Sequence, residues 1–130
     1  GVDFTSRVAQ IREQGISQYS LPVRQCVEYI QRHVRESLSL DELAKEVSLS
    51  PKYLSDRFRR ETGQTLHSYI QEQKIREAKN LLRHTDDSLS EISQLLNFSS
   101  QSYFTSVFRK NTKLTPRQYR ALHISDERLS

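Results

Sequence analysis

The chain has 130 residues, enough for one domain or two very small ones, with 35% hydrophobic and 28% charged residues. With 3 Gly and 3 Pro it lacks the turn residues an all-β fold needs, and its one cysteine, Cys26, allows neither an internal disulfide nor a cysteine-based zinc site. The formal charge is +4. No apolar run approaches the ~18–20 residues of a membrane span and no charged-then-apolar leader opens the chain, so it reads as soluble, helical and cytoplasmic.

Residues 1–20 have weak periodicity (Val8, Ile11), and 1–21 is expected to be a linker from a missing upstream domain. Val23, Val27, Ile30 and Val34 then predict an amphipathic helix over 22–36. Ser39-Leu40-Asp41-Glu42 is an S-x-x-E capping box, and Leu40, Leu43, Ala44 and Val47 follow at i, i+3, i+4, i+7, so a helix is expected over 40–47. Ser48-Leu49-Ser50 breaks it. Pro51 fits the first position of the next helix, expected over 51–62 and stopped by Gly63. A long helix is expected over 65–84, with Leu66, Tyr69, Ile70, Ile75, Ala78, Leu81 and Leu82 apolar; roughly 20 residues make it about 30 Å long. Ser88-Leu89-Ser90-Glu91 opens a helix over 89–96, Asn97 marks the break, and helices over 100–111 and 116–122 complete an all-α fold of about seven helices, leaving 124–130 as a tail.

The later half repeats the earlier. Leu40, Leu43, Val47 and Leu49 return 49 residues on as Leu89, Ile92, Leu96 and Phe98. Tyr53, Phe58, Arg59, Thr62, Thr65 and Tyr69 return 50 residues on as Tyr103, Phe108, Arg109, Thr112, Thr115 and Tyr119. Helix, short turn, helix is the helix-turn-helix pattern, and here it occurs twice, in 22–63 and 86–123, joined by the helix over 65–84. The second helix of each copy is expected to bury Tyr53, Leu54 and Phe58, and later Tyr103, Phe104, Val107 and Phe108, placing the aromatics on core faces. The opposite stripe is Lys52, Ser55, Asp56 and Arg59 in the first copy. Fifty residues on it becomes Ser102, Thr105, Ser106 and Arg109. A kept scaffold with a changed outward stripe suits two readers of two different sequences.

Charge supports a polyanionic partner. Lys52, Arg57, Arg59 and Arg60 cluster on one of these helices, and residues 88–123 set Arg109, Lys110, Lys113, Arg117 and Arg120 against Glu91 alone, for +4. Duplex DNA fits best, because a helix enters its major groove and successive grooves on one face lie about 34 Å apart. The RNA major groove is too deep and narrow for a helix, and single-strand binding wants exposed stacking aromatics. Lys52, Ser55, Asp56, Arg59, Gln101, Ser102, Thr105 and Ser106 are therefore expected to face bases, with Arg60, Arg109, Lys110 and Arg117 on phosphates. No catalytic, metal-binding or cofactor-binding residues are expected: His33, His67, His84 and His123 form no H-x-x-x-H pair, Cys26 stands alone, and no Gly-rich phosphate loop is present. The alternative from another class is a helical protein-interaction or dimerisation module on the same scaffold.

Residues from about 23 to 123 resemble the DNA-binding domain of the AraC/XylS family of bacterial transcription regulators. The first unit carries the likeness through Leu43-Ala44, Ser50-Pro51, Tyr53-Leu54, Phe58 and Glu61-Thr62-Gly63, and the long helix through Ile75-Arg76, Ala78 and Leu81-Leu82. The second unit carries it through Ile92, Phe98, Tyr103-Phe104, Phe108-Arg109-Lys110, Thr115-Pro116 and Tyr119-Arg120. The resemblance implies seven helices in two helix-turn-helix subdomains, binding to promoter double-stranded DNA, a preceding effector or dimerisation domain, and contact with RNA polymerase. Ser93, Asn97 and Lys113 depart from the family pattern and are expected either to weaken the second unit or to retune it. Asp56, where a basic or long polar reader is common, repels phosphate but can accept from cytosine N4.

Overall fold

The computed structural model describes residues 18–129, so most of the expected upstream linker lies outside the described residues. Among the described residues the chain is all-α. The helices are α1 (Leu21–Arg32), α2 (Leu40–Glu46), α3 (Pro51–Thr62), α4 (Leu66–His84), α5 (Leu89–Leu95), α6 (Gln101–Thr112) and α7 (Pro116–Leu129). Over the described residues they form two compact units, one of residues 18–32 and 39–66, the other of residues 33–38 and 67–129.

In the first unit α1 packs on α2 and α3. Val23, Cys26, Val27, Ile30, Leu43, Ala44, Val47, Leu54 and Phe58 are buried there. Burial pushes the Cys26 thiol up to about 12, so it behaves as a small apolar side chain and not as a nucleophile. In the second unit Ile75, Ala78, Leu81 and Leu82 of α4 meet Ile92 and Leu96 beside α6, whose Phe104, Val107 and Phe108 complete the core. Phe104 and Phe108 stack edge-on at 5.9 Å, and Phe108 meets Tyr119 edge-on at 5.5 Å, which ties α7 to α6. All of the long helix but its first residue, Leu66, belongs to the second unit.

The repeat is visible bond by bond. Ser39 and Ser88 accept the N–H of Glu42 and Glu91 at 3.2 and 3.0 Å; Ser50 and Ser100 accept those of Tyr53 and Tyr103 at 3.2 and 3.0 Å. The turns close alike, Leu49 N–H on the Ala44 carbonyl and Phe98 N–H on that of Ser93, both at 2.9 Å. The last turn of α3 and of α6 closes alike too: Thr62 and Thr112 donate back to the Phe58 and Phe108 carbonyls, and the N–H groups of Gly63 and Lys113 reach those of Arg59 and Arg109.

Two helix ends differ from expectation by more than one residue. The first helix stops at Arg32, not 36. Residues beyond it are held otherwise: the Lys74 ammonium donates to the Val34 and Glu36 carbonyls, each at 2.8 Å, and to the Leu96 carbonyl at 2.6 Å. The last helix continues to Leu129, past the expected 122, because no Gly or Pro follows Pro116 to stop it. The departures in the second unit fit their places. Ser93 is buried and its hydroxyl donates to the Ser90 carbonyl at 2.9 Å. Asn97 and Lys113 adopt φ of 63° and 70°, the left-handed conformation that Ser48 (59°) and Gly63 (81°) adopt in the first unit. The turn geometry is kept, at the strain a side chain bears there.

Candidate nucleic-acid interface

In α3 the core side is Leu54 and Phe58, and Lys52, Asp56 and Arg59 stand exposed on the other side with Ser55 half-buried. In α6 the core side is Phe104, Val107 and Phe108, and Gln101, Ser102, Ser106 and Arg109 stand exposed with Thr105 half-buried. Arg60, Lys110 and Arg117 are exposed as well. Among the described residues none of these twelve side chains makes a hydrogen bond or ion pair, so each is available to a partner.

Two cations counted in the basic clusters are committed within the protein. Arg57 donates from Nε to Glu61 at 2.7 Å and from Nη1 to the Tyr53 hydroxyl at 2.8 Å. Glu61 also accepts from the Ser20 N–H at 2.6 Å and the Ser20 hydroxyl at 2.7 Å. Burial alone would raise the Glu61 carboxyl; the Ser20 donors and the Arg57 guanidinium outweigh it and hold the group below its ordinary value. Arg120 serves the end of α4, donating to the Leu82 and Thr85 carbonyls at 3.1 and 3.2 Å.

Tyr53 and Tyr103 are the main correction to the expected burial. They are 48% and 41% exposed rather than part of the core. At 100° per residue Tyr53 lies about 120° round the helix from the mid-line of Leu54 and Phe58, beyond the buried arc. Tyr103 accepts from Gln71 Nε2 at 2.5 Å and meets Phe98 edge-on at 6.0 Å. Gln71, Lys74 and Ser20 carried no local sequence signal that set them apart.

Each unit therefore holds a helix-turn-helix with an exposed, unpaired polar stripe on its second helix, the form of a protein that reads duplex DNA by its major groove. A family model for a helix-turn-helix domain matches residues 43–122. The xylose operon regulatory protein of Escherichia coli K12 is 38% identical over 98 residues, which is 75% of this chain and 25% of that protein. This chain thus spans about a quarter of that relative's length. Among solved structures, the C-terminal domain of AraT, a response regulator from Geobacillus stearothermophilus, superposes with a TM-score of 0.76 at 31% identity, covering 79% of this chain and 86% of that one. The DNA-binding domain of AdpA, a global transcriptional factor solved in complex with a target DNA, gives a TM-score of 0.79 at 25% identity, covering 85% of this chain and all of that one. The chain belongs to the helix-turn-helix DNA-binding domains of the AraC/XylS family.

Proposed function

We propose that this domain binds a promoter site in double-stranded DNA, with α3 and α6 in successive major grooves, and that it does so as part of a bacterial transcription regulator acting in the cytoplasm at the nucleoid. The observation that carries this is the contrast within each recognition helix: the inner face repeats between the units while the outer stripe is uncommitted and differs at every position but the shared Arg59 and Arg109. Lys52, Ser55, Asp56 and Arg59 read one groove; Gln101, Ser102, Thr105 and Ser106 read the next. Arg60, Arg109, Lys110 and Arg117 hold phosphates. Because the stripes differ, the target is asymmetric, its two halves about 10–10.5 bp apart centre to centre. Gln101 can pair bidentately with adenine and Lys52 or Arg59 with guanine, each worth roughly 1–3 kcal/mol of discrimination. The second stripe is otherwise short hydroxyls, so its half is read less strictly.

An upstream effector or dimerisation domain and contact with RNA polymerase belong to the same proposal, supported by the length of the xylose operon regulatory protein outside the matched quarter. The proposed activity is binding, without catalysis. Titrating duplex binding against salt tests it: a DNA reader loses affinity steeply through counterion release. A protein-interaction module on the same scaffold shows no salt-sensitive complex.

A further inference from the structure

Tyr53 and Tyr103 occupy matching places, the third residue of α3 and of α6, and both are exposed beside an exposed stripe. Each hydroxyl is gripped from one side by a side-chain donor, Arg57 in the first unit and Gln71 in the second, at 2.8 and 2.5 Å. The grips differ but the result is the same. A phenol oxygen that accepts a hydrogen bond still has its own proton to give, and no acceptor for it stands among the described residues. Accepting from a donor also polarises the hydroxyl, which makes it a better donor to an anion.

Place on the helix indicates which anion. Seven residues after each tyrosine, two helical turns on, stands an exposed cation, Arg60 in α3 and Lys110 in α6. Hydroxyl and cation therefore share one flank, beside the base-facing stripe rather than within it. Apart from the arginine shared as Arg59 and Arg109, the stripe changes between the two units, whereas the tyrosine and the cation seven residues on are present in both. What stays the same in two readers of different sequences is suited to the part of DNA that has no sequence.

We propose that Tyr53 and Tyr103 are phosphate-binding residues, each donating its phenol proton to one non-bridging phosphate oxygen at the edge of a major groove, with Arg57 and Gln71 as positioning residues. This rests on the DNA-binding reading above.

The test compares wild type, Tyr53→Phe, Tyr103→Phe and Gln71→Leu on random-sequence duplexes of about three helical turns (about 30 bp), by fluorescence anisotropy over a range of salt. Phenylalanine keeps the ring, so the melting temperature serves as the folding control. Each Tyr→Phe change lowers affinity about 10-fold, the worth of a hydrogen bond to a charged group, or about 1.4 kcal/mol. The loss is alike on all sequences and leaves the salt slope unchanged, because a neutral donor releases no counterion. Gln71→Leu lowers affinity less, and adds nothing on top of Tyr103→Phe. A scan of single methylphosphonates along one fixed duplex from the pool shows positions where neutralisation weakens the wild type, and Tyr103→Phe becomes insensitive at one of them. Tyrosine variants with wild-type affinity and an unchanged scan, or with altered base preference, overturn the proposal while the DNA-binding reading stands. A wild type that forms no salt-sensitive duplex complex overturns both.

Discussion

Replacing Lys74 with Met tests how the second unit is held together. The side chain is 7% exposed and its ammonium gives all three N–H bonds to carbonyls, those of Val34, Glu36 and Leu96, at 2.6–2.8 Å. Burial pushes this amine down to about 8, while three carbonyl acceptors favour the charged form, so it carries its proton at neutral pH. Lys74→Met leaves the acceptors without a donor. Water can reach the Val34 and Glu36 carbonyls, which lie on half-buried and exposed residues, but the bond to Leu96 is buried. One orphaned buried carbonyl costs about 1–3 kcal/mol, and two charge-assisted bonds exchanged for water cost further, offset in part by no longer burying an ammonium. The expected net loss is about 2 kcal/mol, or about 8–16 °C in Tm for a unit of this size. Thermal unfolding by far-UV circular dichroism reads it, with Lys79→Met, a half-buried neighbour on the same helix, as control. Faster amide exchange at Asn97 and Phe98, in the turn that follows Leu96, locates the damage. If Lys74→Met melts together with the Lys79→Met control, the three-carbonyl clasp does not stabilise the unit.

The other expectations concern single residues. Lys113→Gly relieves a left-handed backbone at φ 70° and should raise stability by about 1 kcal/mol in denaturant unfolding. Gly63→Ala, at φ 81° with nothing within 4 Å of an added Cβ, should lower it by about the same amount through the backbone alone; effects of the opposite sign would contradict the shared cap geometry. The Glu61 carboxyl has a folded pKa below its ordinary 4.5, so its contribution is present above that pH and lost as pH falls through the lower folded value. The stability gap between wild type and Glu61→Gln should accordingly be widest near neutrality and close on acidification; a gap that widens in acid would refute the assignment. Ile75→Pro breaks α4 at a residue that is 2% exposed in the second core, costing about 3 kcal/mol or more, and duplex affinity should fall with it. Unchanged affinity in that variant would show that α4 does not support the recognition helices.

The parts of the fold written in short-range chemistry were legible in the sequence. The capping boxes at Ser39 and Ser88, Pro51 and Pro116 at helix starts, and the repeat of about fifty residues correspond to the observed caps, helix starts and paired units. What escaped depends on distant partners. Lys74 looks like any helix lysine until acceptors 22, 38 and 40 residues away are in place, and those same bonds account for the early end of the first helix. Arg57 and Arg120 count as positive charge in a sum over residues, yet bonds to Glu61 and to the end of α4 take them off the interface. The exposure of Tyr53 and Tyr103 was readable from helical angle, but an aromatic beside Leu54 or Phe104 is easily assigned to the core by residue type. The stripe residues needed only the helical period, since a position opposite the core is exposed whatever lies elsewhere.

The most direct measurement of the central claim is selection of binding sites from a random duplex pool by the wild type, followed by the same selection with Lys52→Ala, Arg59→Ala, Gln101→Ala and Lys110→Ala. The wild type should select an asymmetric site with its halves about 10–10.5 bp apart, and each of the first three changes should relax preference locally. Lys110→Ala should instead weaken all sequences alike and flatten the salt slope by about one unit. If Lys110→Ala shifts base preference while Lys52→Ala, Arg59→Ala and Gln101→Ala leave it intact, the opposite faces of α3 and α6 enter the DNA and the claim is wrong.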